Sequence, residues 1–161
     1  MLDWQDRMFA FDYDSSGKIN RLVAYRRGNG AIFILKNDPG NKSFVPVYME
    51  GRPRNGIGGY GIKSDMDTVF AFDWNHSGHA DHLVFYTPSE KGFAGVGRTE
   101  SGWSTVFSSD EGVGGSSLDN STDAITPFGY LGSGSMDTLV VSRREADKWP
   151  VLFWSILRCW A

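Results

Sequence analysis

Apolar residues in this chain come in bursts of five or six, separated by clusters of Gly, Asn, Asp and Ser. The first bursts are Met8–Asp12, Arg21–Tyr25, Ala31–Leu35 and Phe44–Met49. Short runs rich in β-branched and aromatic residues and bounded by turn residues read as strands. The stretch Arg27-Gly28-Asn29-Gly30 supplies hairpin chemistry between the second and third runs. Asn37–Ser43 reads as the next loop, and a Gly-rich connector follows from Gly51 to Gly61. No amphipathic run of period 3.6 has helix length, so more than about 40% strand and almost no helix are expected.

The pattern then repeats. FAFDYDSSGKINRLVAY, Phe9 to Tyr25, recurs without a gap as FAFDWNHSGHADHLVFY, Phe70 to Tyr86, at an offset of 61. A weaker copy, TPFGYLGSGSMDTLVVS, runs from Thr126 to Ser142 at a further offset of 56. The connector repeats as well: Ile57–Asp67 aligns with Val113–Asp123. The five-residue difference must fall between Tyr86 and Val113. The chain is thus one repeat domain with units at about 1–61, 62–117 and 118–161. Each unit has four short strands in the antiparallel order of a β-propeller blade, so the expected fold class is all-β, with about three blades per chain. In the third unit Thr138–Ser142 and Val151–Ser155 read as strands, and Ile156–Ala161 leaves room for a short fourth at most. Three blades are fewer than a ring needs. A homodimer closing a six-bladed ring is the leading expectation. A compact three-sheet monomer and a piece of a longer propeller are the alternatives.

These residues resemble a known group. The pattern FAFDxDxSGxxDHLVxY, with the IGGY connector, is similar to repeats of the FG-GAP/VCBS type over nearly the whole chain. That resemblance implies a β-propeller of the kind found in integrin-like propellers, fungal lectins and toxin-associated blades. The third copy departs from it, with Gly129 and Leu131 where the first has Asp12 and Asp14.

Composition narrows the function. The 161 residues are 40% apolar and 14% aromatic, ample for a core, and the net charge of −3 offers no basic surface for nucleic acid. No apolar run reaches the roughly 20 residues of a membrane span. The start, MLDWQDRMFAFDYD, lacks the apolar stretch of a signal peptide. A cytoplasmic location, or secretion by an unconventional route, is therefore expected. The lone Cys159 has no partner for an internal disulfide.

Four constellations could carry chemistry. The loop after the first strand presents Asp12, Asp14, Ser16 and Asn20, and its copy presents Asp73, Asn75, Ser77 and Asp81. Oxygen ligands at positions 1, 3, 5 and 9, with Gly at 6, suit calcium, which makes calcium a candidate cofactor; the plain alternative is an Asx-type turn. A bound cation would make the effect of Asp12→Ala or Asp73→Ala on stability depend on calcium. His76, His79 and His82 have zinc-like spacing, but on a turn entering a strand they do not share a face. GSGSM, Gly132 to Met136, is not a nucleophile elbow, and acids such as Asp6, Asp67 and Asp123 recur at repeat-equivalent turns where a structural task comes first. No enzymatic activity is expected. Finally, Tyr13, Trp74 and Tyr130 share one position in the three units, with Trp103 and Tyr60 as further rings. Tyr13, Trp74 and Trp103, with polar help from Arg26, Asn29, Tyr60 and Asp81, form a candidate carbohydrate-binding set. The expected partners are glycans or glycoproteins, bound weakly at several repeated sites. The competing reading is a structural or protein-interaction module in which these rings pack between blades.

Overall fold

The computed structural model describes residues 4–50, 56–88, 90–130, 132, 134–143 and, for the backbone alone, 151–155. It is all-β, and no residue among those described is helical. Three antiparallel sheets follow one another along the chain. The first is β1 (Asp6–Phe11), β2 (Arg21–Arg26), β3 (Ala31–Asp38) and β4 (Ser43–Met49), in that spatial order. The second repeats it with β5 (Thr68–Phe72), β6 (His82–Tyr86), β7 (Phe93–Thr99) and β8 (Gly102–Ser109). The third holds β9 (Asp123–Phe128), β10 (Thr138–Arg143) and β11 (Val151–Ser155). The expected strands are all present. β1 begins two residues earlier than its apolar burst and stops before Asp12, whose side chain belongs to the following turn. Cys159 and the segment Ile156–Ala161 lie outside the described residues.

The copies agree in detail. Both four-stranded sheets slip register at the same place: Ile34 pairs with Tyr48 but Leu35 with Pro46, and Gly95 pairs with Phe107 but Val96 with Thr105. The residues bulged out, Val47 and Val106, lie on the outermost strands β4 and β8, where an interrupted ladder exposes least. Pro46 is tolerated there for the same reason. The five-residue difference between the units divides in two. The β3–β4 turn has two residues more than the β7–β8 turn, and the other three come from the chain after β4.

The sheets pack face to face. Phe11, Val23, Tyr25, Ile32 and Ile34 of the first sheet meet Val69, Leu83, Phe85 and Val96 of the second, with Ile57 and Ile62 of the connector between them. The next junction uses the equivalent side chains. Phe70, Phe72, Val84, Tyr86 and Phe93 meet Ile125, Leu139 and Val141, with Val113 and Leu118 between. The second sheet is therefore buried on both faces, so β6 reads Leu-Val-Phe-Tyr without alternation. Each large side chain fully buried in these seams contributes about 1.5–3 kcal/mol. The other face of the first sheet carries Met8, Ala10, Leu22, Ala24, Phe33 and Leu35, equivalent to the residues the second sheet buries against it, and no other sheet packs on it among the described residues.

Polar ties follow the same plan. The Tyr25 hydroxyl accepts from Val69 N at 3.2 Å, and the equivalent Tyr86 hydroxyl donates to Asp123 O at 3.2 Å. Burial, and then the Asp123 charge, raises the Tyr86 phenol above its ordinary pKa. Asp12 N donates to Ala80 O and Asp73 N to Met136 O, so each unit is pinned to the next. Asp67 accepts from Ser64 N at 2.8 Å and Asp123 from Asn120 N at 3.1 Å. These repeated acids fasten the connector to the strand that follows, a structural task in keeping with their recurrence.

Candidate functional site

The turn after each first strand is organised by its leading acid. Asp12, 2% exposed, accepts from Ser16 N at 3.0 Å and from Gly17 N at 2.7 Å. Asp73, fully buried, accepts from Ser77 N at 2.9 Å and Gly78 N at 2.7 Å. This is the Asx-type arrangement, in which a carboxylate takes up N–H groups of its own turn. It holds Ser15 and His76 at φ of 54° and 55°. In the first loop Asn20 donates to Asp14, and hydrogen bonds from Ser16 and Asn20 hold the Asp14 carboxyl below its usual pKa. In the second loop Asn75 accepts from Ser77 N, but Asp81 turns away, with Oδ1 2.6 Å from His82 Nδ1. Burial alone would raise the Asp81 carboxyl, yet His82 and Ser15 outweigh it and hold it below the usual range. The three histidines do not converge: His82 faces Asp81, while His76 Nδ1 lies 3.8 Å from Asp137. Among the described residues no group of three or more His, Cys, Asp or Glu is placed to hold a metal ion.

Because the partners of these two acids are backbone N–H groups, Asp12→Ala and Asp73→Ala are each expected to cost about 1–3 kcal/mol. Thermal melts in calcium and in chelator separate the two readings: a plain Asx-type turn loses the same in both. A loss seen only in calcium would mean that these carboxylates serve a bound cation.

The aromatic candidates divide by sheet junction. Tyr13 and Trp103 come together at the first junction, ring centroids 6.3 Å apart, where Trp103 also meets Phe11 and Tyr48. Trp103, which follows the Glu100–Gly102 turn, is half-buried there, because the neighbouring sheet covers it. Arg98 lies 4.3 Å above the Tyr13 ring and donates to Tyr13 O at 3.1 Å. Trp74 sits apart at the second junction, stacked on Phe107 at 4.5 Å. Tyr130, in the third unit, is 50% exposed. The Trp154 side chain lies outside the described residues.

Arg26, Asn29 and Tyr60 belong to a different feature. A depression of about 320 Å³ opens on the first sheet beside Asp6, Met8, Ala24, Arg26, Asn29 and Phe33. One of about 250 Å³ opens on the second, beside Asp67, Phe85, Thr87, Glu90 and Ala94. Shifted by 61, these residues largely coincide, so the two depressions are copies. The second gains a further wall from the preceding connector, where Tyr60 stacks on Phe85 at 5.7 Å. In the first, Arg26 grips Asp6 with two hydrogen bonds, and Asn29 Oδ1 accepts from Ala31 N at 3.0 Å. The structure thus gathers Arg26 and Asn29 at one depression, Tyr60 at its copy, and none of the three with the Trp residues. Sequence reasoning overlooked the Asp–Arg pair at the depression. Its signal was a spacing of 20, seen in Asp6–Arg26 and again in Asp123–Arg143.

No helix of the described residues is long and apolar enough to cross a membrane. No family model matches the chain, and neither a curated protein nor a solved structure does.

Proposed function

We propose that the three sheets are blades of a β-propeller and that the protein binds glycans, without catalysis, in depressions that recur from blade to blade. The propeller reading is supported by face-to-face stacking of the sheets and by the neighbourhood of their first strands, β1 against β5 and β5 against β9. In this reading a second copy covers the open face of the first sheet and closes a six-bladed ring, since that face carries the side chains that the second sheet buries.

The glycan reading rests on one observation: a depression lined by polar and apolar side chains together occurs at the same place in two successive units, about 320 and 250 Å³. Each is shallow, with carboxylate and turn groups for hydroxyls and apolar side chains for the C–H face of a sugar. Weak sites repeated in this way gain through effective concentration. The test is a glycan array with wild type and Tyr60→Ala. Binding by wild type that falls at least about tenfold when the Tyr60 ring is removed is the expected result. If no glycan binds wild type, the reading fails. The open apolar face, with Met8 53% and Met49 63% exposed on the first sheet, then favours a protein-interaction module.

A further inference from the structure

In two of the three units a guanidinium closes the start of the first strand. Arg26 meets Asp6 with Nε–Oδ1 at 2.6 Å and Nη2–Oδ2 at 2.9 Å. Arg143 meets Asp123 in the same way, at 2.6 and 2.8 Å. Both pairs sit directly opposite one another in the strand ladder. Parallel N–H···O bonds from a planar fork are the strongest form of this contact.

The middle unit keeps the acid and lacks the arginine. Thr68 pairs with Tyr86, so the register carries Asp67 opposite Thr87. The Thr87 hydroxyl donates to Asp67 Oδ1 at 2.6 Å, and Ser64 N donates to Oδ2 at 2.8 Å. Asp67 is 6% exposed and makes no ion pair with a described residue. A neutral hydroxyl therefore stands where the sister units hold a cation. Thr is also far shorter than Arg, and the cavity of about 250 Å³ lies beside it, walled by Asp67, Thr87, Glu90, Tyr60 and Phe85. A buried carboxylate without a counter-charge is unfavourable. A cation entering this cavity meets the carboxylates of Asp67 and Glu90 in a lining that also holds the Tyr60 and Phe85 rings.

We infer that this cavity binds a guanidinium group, presented as an arginine side chain by another polypeptide, in place of the arginine that the sister units supply internally. The inference does not rest on glycan binding, since it needs only Asp67 and the space next to it.

The probe is N-acetyl-arginine amide, titrated by NMR at low ionic strength against N-acetyl-citrulline amide, which has the same shape without the charge. Saturable binding of the arginine amide, at least about tenfold tighter than that of the citrulline amide, is expected. Asp67→Asn should abolish it. Thr87→Arg should abolish it too and raise Tm, because it rebuilds the pair of the sister units from within. The inference is overturned if wild type shows no saturable binding, or if citrulline amide binds as well as the arginine amide. It is equally overturned if Thr87→Arg or Asp67→Asn folds and binds the probe undiminished.

Discussion

Gly56→Ala and Gly112→Ala are each expected to remove about 4 kcal/mol or more of stability. The two glycines are equivalent, and each precedes a connector that folds back on itself through paired backbone bonds, Ile57 with Tyr60 and Val113 with Ser116. Both have positive φ, 78° and 91°. A Cβ on Gly56 would lie 1.5 Å from Tyr60 O, and one on Gly112 would lie 1.9 Å from Ser116 O. Backbone strain alone costs about 1–2 kcal/mol. The clash is with main chain, so the connector must open, and opening it lifts Ile57 and Ile62, or Val113 and Leu118, out of the seams between sheets. Each such side chain is worth about 1.5–3 kcal/mol. Gly59→Ala and Gly115→Ala are the controls. They have φ of 90° and 85° but nothing within 4 Å of the added carbon. They should show the strain alone. Denaturant midpoints compare the four, and a parental midpoint for Gly56→Ala would refute the connector geometry.

One ring position in the repeat separates buried seams from an open end. Phe11, Phe72 and Phe128 are equivalent residues at the ends of β1, β5 and β9. Phe11 and Phe72 are fully buried in the first and second seams, while Phe128 is 47% exposed. Phe11→Ala and Phe72→Ala should each cost about 3–5 kcal/mol, the range for a ring removed from a core that cannot collapse around it. Phe128→Ala should cost under about 1 kcal/mol in a monomer. Urea unfolding at several protein concentrations measures all three. A large loss at Phe128 that grows with concentration would mean that another molecule buries this ring.

Much of the fold was legible because the sheets are built from neighbours in sequence. Hairpin turns and apolar bursts marked the strands, and β11 falls on the residues its burst implied. The constant offset marked the repeat, and the leading acids of the turns were visible as repeated Asp. What was not legible depends on which face meets which. Trp103 follows a Ser-Gly turn, a local setting that implies exposure, but Tyr48 and Phe11 come from another sheet and cover it. The register slips at Ile34 and Gly95 leave no mark in composition. The Asp–Arg pairing lay open in the spacing, but at 20 residues it exceeds the reach of turn or helix rules. Only the strand ladder makes those residues opposite.

The seams between sheets have a consequence for how such a chain changes length. Every unit offers one kind of face to its successor and a second kind to its predecessor, and both seams here use equivalent residues. Duplicating or losing a whole unit therefore leaves the chemistry of every remaining seam unaltered, whereas gaining or losing part of one ruins two. Variation in number is cheap by whole units, and variation in detail collects where seams are indifferent to it, as in the turn between β7 and β8, shorter by two residues than its copy.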